Sequence, residues 1–367
     1  MAQHRPIRSA FTIAELLVVL GIIVLLLSLL LPVLFSVRRH ADSVACAANL
    51  RTLSQAMITY ANDHRGWLPG SPSTTGHALW RLSPTGEYES AGFSPSNVPP
   101  PAIELFDYVG PLAGTMRLPL PPTSSGIDRL LAYRQLGIFT CPANRGTITT
   151  RSGGAAVEDG QMLSYATGSA FMLLPARIPT TLNTSLAGRV TMPTGGSDTD
   201  PAKFNFWSSP PTYAPRIEKV GNTSRKIFLA DAARRSRGSG PPQFIYDVES
   251  DYTETMFSDF GPFYGITRSY DRRAVNDPSW TGVDARPFAY RHGTSSPGRP
   301  AGAYRLNAAF FDGHVESLDD MESARPEYWL PAGSMIYRNT KLNASDSVFW
   351  PDVWQRHLSA ACPCRIP

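Results

Sequence analysis

From Phe11 to Val37 the chain carries a single charge, Glu15, in 27 residues. At about 1.5 Å per residue, a helix of that length is longer than the roughly 30 Å hydrocarbon core of a bilayer. Inside lipid every backbone amide and carbonyl needs a partner on the chain itself, so an isolated apolar run of this kind is a helix. Three readings of it compete. A secretory signal peptide has an apolar region of about 7–15 residues closed by a small-x-small cleavage site. This run is longer, and Pro32-Val33-Leu34-Phe35 is a poor cleavage site. A plain one-span anchor is the simplest reading, but it leaves Glu15 unexplained: a carboxylate at membrane depth costs about 2.5–3.5 kcal/mol.

The third reading starts from residues 1–10, MAQHRPIRSA, a basic leader that ends in a small residue. A peptidase cutting between Ala10 and Phe11 would create an α-amine on Phe11. Residues i and i+4 share a helix face, so that amine would lie one turn from Glu15. In a helical array, an amine on one subunit facing the carboxylate of another would fix axial register and offset the cost of the buried charge. Arg5 and Arg8 precede the span, and Arg38, Arg39 and His40 follow it. The positive-inside rule is therefore nearly silent. Leader cleavage requires a cytoplasmic N-terminus and an extracytoplasmic remainder.

The run Ala10-Phe11-Thr12-Ile13-Ala14-Glu15-Leu16-Leu17-Val18-Val19 closely resembles the processing signal of type IV prepilins and type II secretion pseudopilins. Ala10 stands in place of the usual Gly, and Ala14 in place of the usual Ile or Leu. The resemblance implies cleavage before Phe11 by prepilin peptidase, N-methylation of Phe11 and a role for Glu15 in subunit assembly. It also implies partner subunits that contact this helix. Pro32 sits where such helices often kink, because proline deletes one backbone hydrogen bond.

Beyond Val37, apolar residues recur at spacings of three and four through Val44, Ala48, Leu50, Leu53, Met57, Ile58 and Tyr60. This pattern predicts an amphipathic continuation of the helix over 38–66, ended by Gly66 and Pro69 and lying on a sheet. Trp67 and Tyr60 read as core residues. The stretch from Cys46-Ala47-Ala48-Asn49-Leu50 to Gly66-Trp67-Leu68-Pro69 resembles the helix end of pseudopilin-like proteins. Residues 70–130 are rich in Pro, Ser, Gly and Thr and read as an extended loop region, with a short helical patch near Ile103–Tyr108. Leu136–Cys141 reads as a strand end, and Ser164–Leu174 and Lys226–Ala230 as strands. Asp312-Gly313 between two β-like runs predicts a type I′ hairpin over Asn307–Leu318.

Several of these stretches also resemble a large prepilin-like group: Phe139-Thr140-Cys141-Pro142 its F-x-C-P element, and Lys226 to Asp231 its K-x-x-x-A-D strand. The same group has a C-terminal signature of His, nine residues, then Asp-Gly. Arg291-His292-Gly293 and Asp312-Gly313-His314 match its two ends, across nineteen residues instead of nine. The excess, around residues 294–302, reads as a loop insertion.

The chemistry-bearing residues point to no enzyme. There is no G-x-S-x-G, no G-x-G-x-x-G and no P-loop. His292, Asp312 and His314, with Asp231 as a fourth donor, invite a metal reading. However, Asp312 sits where a turn favours Asp for backbone reasons. Asp247, Glu249, Asp251 and Glu254 form an acidic cluster without an EF-hand glycine, so it reads as a solvated loop. The four cysteines, Cys46, Cys141, Cys362 and Cys364, contain no CxxC pair and match no zinc spacing. One or two disulfides would suit an extracytoplasmic head. No metal or cofactor is expected. The net charge of +4 comes from scattered residues without a basic stripe, which argues against nucleic acid.

The expected protein is α+β and pilin-like: leader 1–10, transmembrane helix 11–37, amphipathic continuation 38–66 and an antiparallel head over 67–367 with long loops. Its expected place is the bacterial inner membrane, single-pass, with a periplasmic head, assembled into or docked on a secretion or pilus machinery. The alternative is a membrane-anchored glycan- or metal-binding protein that does not polymerise. A metal hydrolase is a third reading.

Overall fold

A computed structural model describes residues 13–71, 74, 80–82, 88–90, 106–120, 126–144, 147–152, 155–161, 163–172, 207–232, 243–246, 257–259, 261, 288–293, 302–336 and 364–367. Among them the dominant element is α1, Ile13–Asp63, a single helix of 51 residues that runs through Pro32 without a break. It is long and apolar enough over its first half to cross a membrane. The large apolar side chains from Ile13 to Val37 are exposed. Leu, Ile and Val on every side of a helix leave no polar face to meet water, as in a span surrounded by lipid.

The second half of α1 turns one face inward. Cys46, Leu50, Leu53, Met57 and Tyr60 are buried, at spacings of four, three, four and three. This corrects the upper end of the expected stripe, because Val44 and Ala48 face outward. The helix stops where Gly66, at φ +86°, sends its amide back to the Ala61 carbonyl at 2.7 Å, the left-handed ending that glycine favours.

α1 packs on a mainly antiparallel sheet. The sheet's strands are β1 (Tyr165–Gly168), β2 (Ile227–Asp231), β3 (Ser258–Asp259), β4 (His292–Gly293), β5 (Tyr304–Phe310) and β6 (Val315–Asp319). β5 is the hub. Its Ala308 pairs with Glu316 of β6 and Ala230 of β2, and its Arg305 pairs with Asp319 of β6 and His292 of β4. β2 and β4 therefore share one edge of β5, and β6 takes the other. β1 extends the sheet antiparallel to β2, and β3 joins β1 in parallel. Every residue of β2 is buried, which accounts for its unbroken apolar run Ile227–Ala230.

Four local expectations are corrected. Of the helical patch at Ile103–Tyr108, residues 103–105 lie outside the described residues and 106–108 are not helical; α2 spans Val109–Thr115. The Asp107 carboxylate accepts the Val109 and Gly110 amides at 2.9 and 3.2 Å, so the helix starts after it. A third helix, α3, occupies Gly126–Gln135, so the 70–130 region is not all loop. Leu136–Cys141 contains a 3-10 turn at Gly137–Phe139, which spends the Phe139 and Thr140 amides on the Leu136 and Gly137 carbonyls. The strand expected over Ser164–Leu174 ends at Gly168 and gives way to a buried helical turn, Ser169–Met172.

The β5–β6 hairpin forms as expected, but its turn differs. The Gly313 amide bonds the Phe310 carbonyl at 3.0 Å, and the Phe310 amide bonds the His314 carbonyl at 2.9 Å. Gly313 has φ +92°, whereas Asp312 does not have positive φ. This is a three-residue loop with glycine in the left-handed bulge position, not type I′, which needs two such residues. A Cβ on Gly313 would also lie 3.3 Å from Ile58 Cδ1 of α1. Gly313→Val is expected to destabilise the head by about 1–3 kcal/mol, read as a lowered unfolding midpoint.

Candidate metal centre

Four polar residues from four separate elements meet between α1 and the sheet. Cys46 comes from the buried face of α1, Cys141 follows the 3-10 turn, Asp231 ends β2 and His292 opens β4. Their ligand atoms all lie within 4.8 Å of one another, and all four residues are buried. The sheet topology dictates part of this meeting. β2 and β4 follow one another along the same edge of β5, so the end of one meets the start of the other.

Cys46 Sγ donates to Asp231 Oδ1 at 3.0 Å. His292 Nε2 lies 3.1 Å from Asp231 Oδ2 and 3.6 Å from Cys141 Sγ. The backbone amide of Asn307, in β5, donates to Asp231 Oδ2 at 2.7 Å. The Tyr165 hydroxyl donates to Cys46 Sγ at 3.4 Å. Arg291 Nη1 approaches Asp231 Oδ1 at 3.8 Å, and its Nη2 donates to the Ala232 carbonyl. α1 is tied down beside the cluster. Asn49 donates to the Thr140 carbonyl at 3.2 Å, and the Asn307 side chain donates to the Ser43 carbonyl at 3.1 Å.

The electrostatics are strongly coupled. Burial pushes the Cys46 thiol far above its ordinary range, and the contacts with Cys141 and Asp231 add to the rise. The hydrogen bond with Cys46 draws Cys141 down to about 6, against burial, with help from His292 and Arg291. Burial opposes charge on His292, but its bonds to Asp231 and Cys141 outweigh this and raise it to about 9. Burial also opposes charge on Asp231; the His292 bond and the His292 and Arg291 charges hold its carboxyl below the usual range. The centre is a compact set of alternating charges with two sulfurs, one imidazole nitrogen and one carboxylate turned inward. Such a donor set suits a tetrahedral, thiophilic divalent ion.

The metal set that the sequence invited, His292, Asp312, His314 and Asp231, is only half assembled. His292 and Asp231 meet, but Asp312 and His314 do not join them. His314 Nδ1 pairs with Asp312 Oδ1 at 2.5 Å on the partly exposed hairpin loop, and its ring stacks on Phe310 at 4.2 Å. That loop lies against Ser54 and Ile58. Ser54 is eight residues, or about 12 Å of helix, from Cys46. The signature residues therefore divide. His292 faces the centre, while Asp312 and Gly313 turn the hairpin whose β5 strand carries Asn307.

Cys46 and Cys141 are free thiols, not halves of a disulfide. Linear spacing hid this pair, because ninety-four residues separate them. One signal was available. Cys46, Cys141, Asp231 and His292 each lie inside a stretch that carries the resemblance to the prepilin-like group. Ala10, Phe11 and the acidic cluster 247–254 lie outside the described residues. Glu15 lies in the first turn of α1, where the helix dipole favours a carboxylate. Comparison with protein-family models, curated proteins and solved structures finds no match.

Proposed function

We propose that this chain is a pilin-like or pseudopilin-like structural subunit. Prepilin peptidase cuts it before Phe11, and its N-terminus is methylated. It assembles through α1 with like subunits into a type II secretion or type IV pilus-like apparatus of the bacterial inner membrane. One observation carries this reading: a single helix, Ile13–Asp63, has a bare apolar first half and a second half built into an α+β head. The bare half suits lipid before assembly and packing against neighbouring helices afterwards. The N-terminus lies in the cytoplasm and the head outside it. No enzymatic activity is assigned.

The intact mass and N-terminal sequence of protein extracted from its native membrane test this reading. A chain beginning at methylated Phe11 is the expected result. A chain still beginning at Met1 or Ala2 would leave Glu15 without its amine and overturn the reading. A second reading, an anchored extracytoplasmic metal-binding protein that does not polymerise, draws on the buried Cys46–Cys141–Asp231–His292 cluster. It predicts the uncut chain and no filaments.

A further inference from the structure

We infer that Cys46, Cys141, Asp231 and His292 bind one zinc ion that clamps the transmembrane helix to the head. The inference is independent of the subunit reading, since a clamp would serve an assembled or a solitary protein equally. It rests on convergence. Four donors from elements far apart in sequence present two Sγ atoms, a carboxylate oxygen and an imidazole nitrogen, all within 4.8 Å of one another. Four ligating groups of this chemistry around one point form a coordination shell.

The surroundings fit the assignment. Two thiolates and a carboxylate carry three negative charges, and a divalent cation with the Arg291 guanidinium carries three positive. The loaded centre is formally neutral, which limits the cost of burying its charges. The groups behind the ligands hold them in place: the Asn307 amide on Asp231 and the Tyr165 hydroxyl on Cys46. Such outer partners orient ligands and tune affinity. All four donors are protein groups and all are buried, so the shell is closed. A closed four-ligand shell is the structural kind of zinc site; a catalytic site keeps a position open for water. A disulfide between Cys46 and Cys141 is the competing fate of the two thiols. It would leave the carboxylate and Nε2 converging on the sulfurs without a purpose.

The test uses the full chain, expressed with zinc and extracted in mild detergent under reducing conditions. Elemental analysis is expected to find one zinc per chain. X-ray absorption is expected to show two sulfur neighbours at about 2.3 Å and two nitrogen or oxygen neighbours at about 2.0 Å. Tyr165→Phe, which removes only the hydroxyl behind Cys46, is expected to weaken zinc 10–100-fold against a competing chelator. His314→Ala is expected to leave the zinc in place. Background zinc in folded, reduced protein would overturn the inference. So would a shell of nitrogen and oxygen alone, or a Cys46–Cys141 disulfide in protein isolated without reductant. The unaltered chain decides each of these, so no variant needs to fold.

Discussion

Glu15→Ala is expected to leave the protein inserted in the membrane and to abolish its assembly into filaments. Insertion depends on the apolar run, and removing a carboxylate from it lowers the cost of burial. Assembly depends on register. In the proposed array, the Phe11 amine of one subunit meets the Glu15 carboxylate of another among packed helices. Taking away one partner of a buried ion pair leaves the other charge uncompensated. That typically costs about 3–5 kcal/mol, roughly a hundredfold or more in association. The loss recurs at every subunit contact, so a filament should feel it far more than a dimer would. Glu15→Gln retains the shape and should assemble weakly. Membrane fractionation reports insertion, and the filament fraction sheared from cells reports assembly. Normal assembly of Glu15→Ala would remove the registration role.

Asp231→Ala should be the most damaging single change in the head. The carboxylate accepts from Cys46, His292 and the Asn307 amide, and it faces Arg291. Alanine strips these partners at once and leaves buried cations unanswered. The expected loss is about 3–5 kcal/mol, a large part of the 5–15 kcal/mol that holds most domains. Asp231→Asn retains an acceptor for Asn307 and should cost less. Asp312→Ala removes the partly exposed partner of His314 and should change stability by less than about 1 kcal/mol. Urea unfolding of the full chain in detergent, followed by tryptophan fluorescence, ranks the three. Equal midpoints for Asp231→Ala and Asp312→Ala would show that the buried cluster does not hold the head together.

Some of this protein is written in its local sequence. The membrane-length helix follows from an apolar run with one charge, because such a run has few other stable forms. The inward stripe of α1 was legible from Leu50 to Tyr60, where spacing of three and four has one geometric meaning. The hairpin at Asp312-Gly313 was legible because glycine is needed there, although its bulged form was not. These features share a cause: each is decided by residues within a turn or two of one another.

The centre was decided elsewhere. Cys46, Cys141, Asp231 and His292 have no common spacing, and no window along the chain contains two of them. They meet because β2 and β4 occupy the same edge of β5 and α1 lies across that edge. The same topology sends Asp312 and His314, natural companions of His292 by residue type, to the hairpin loop instead. Sequence by itself determined a helix long and apolar enough for a membrane, the amphipathic face below it and the turn-bearing strands. Tertiary structure alone decided which polar groups share a buried site. That outcome depends on strand order, which is set by packing across hundreds of residues, and no local pattern encodes it.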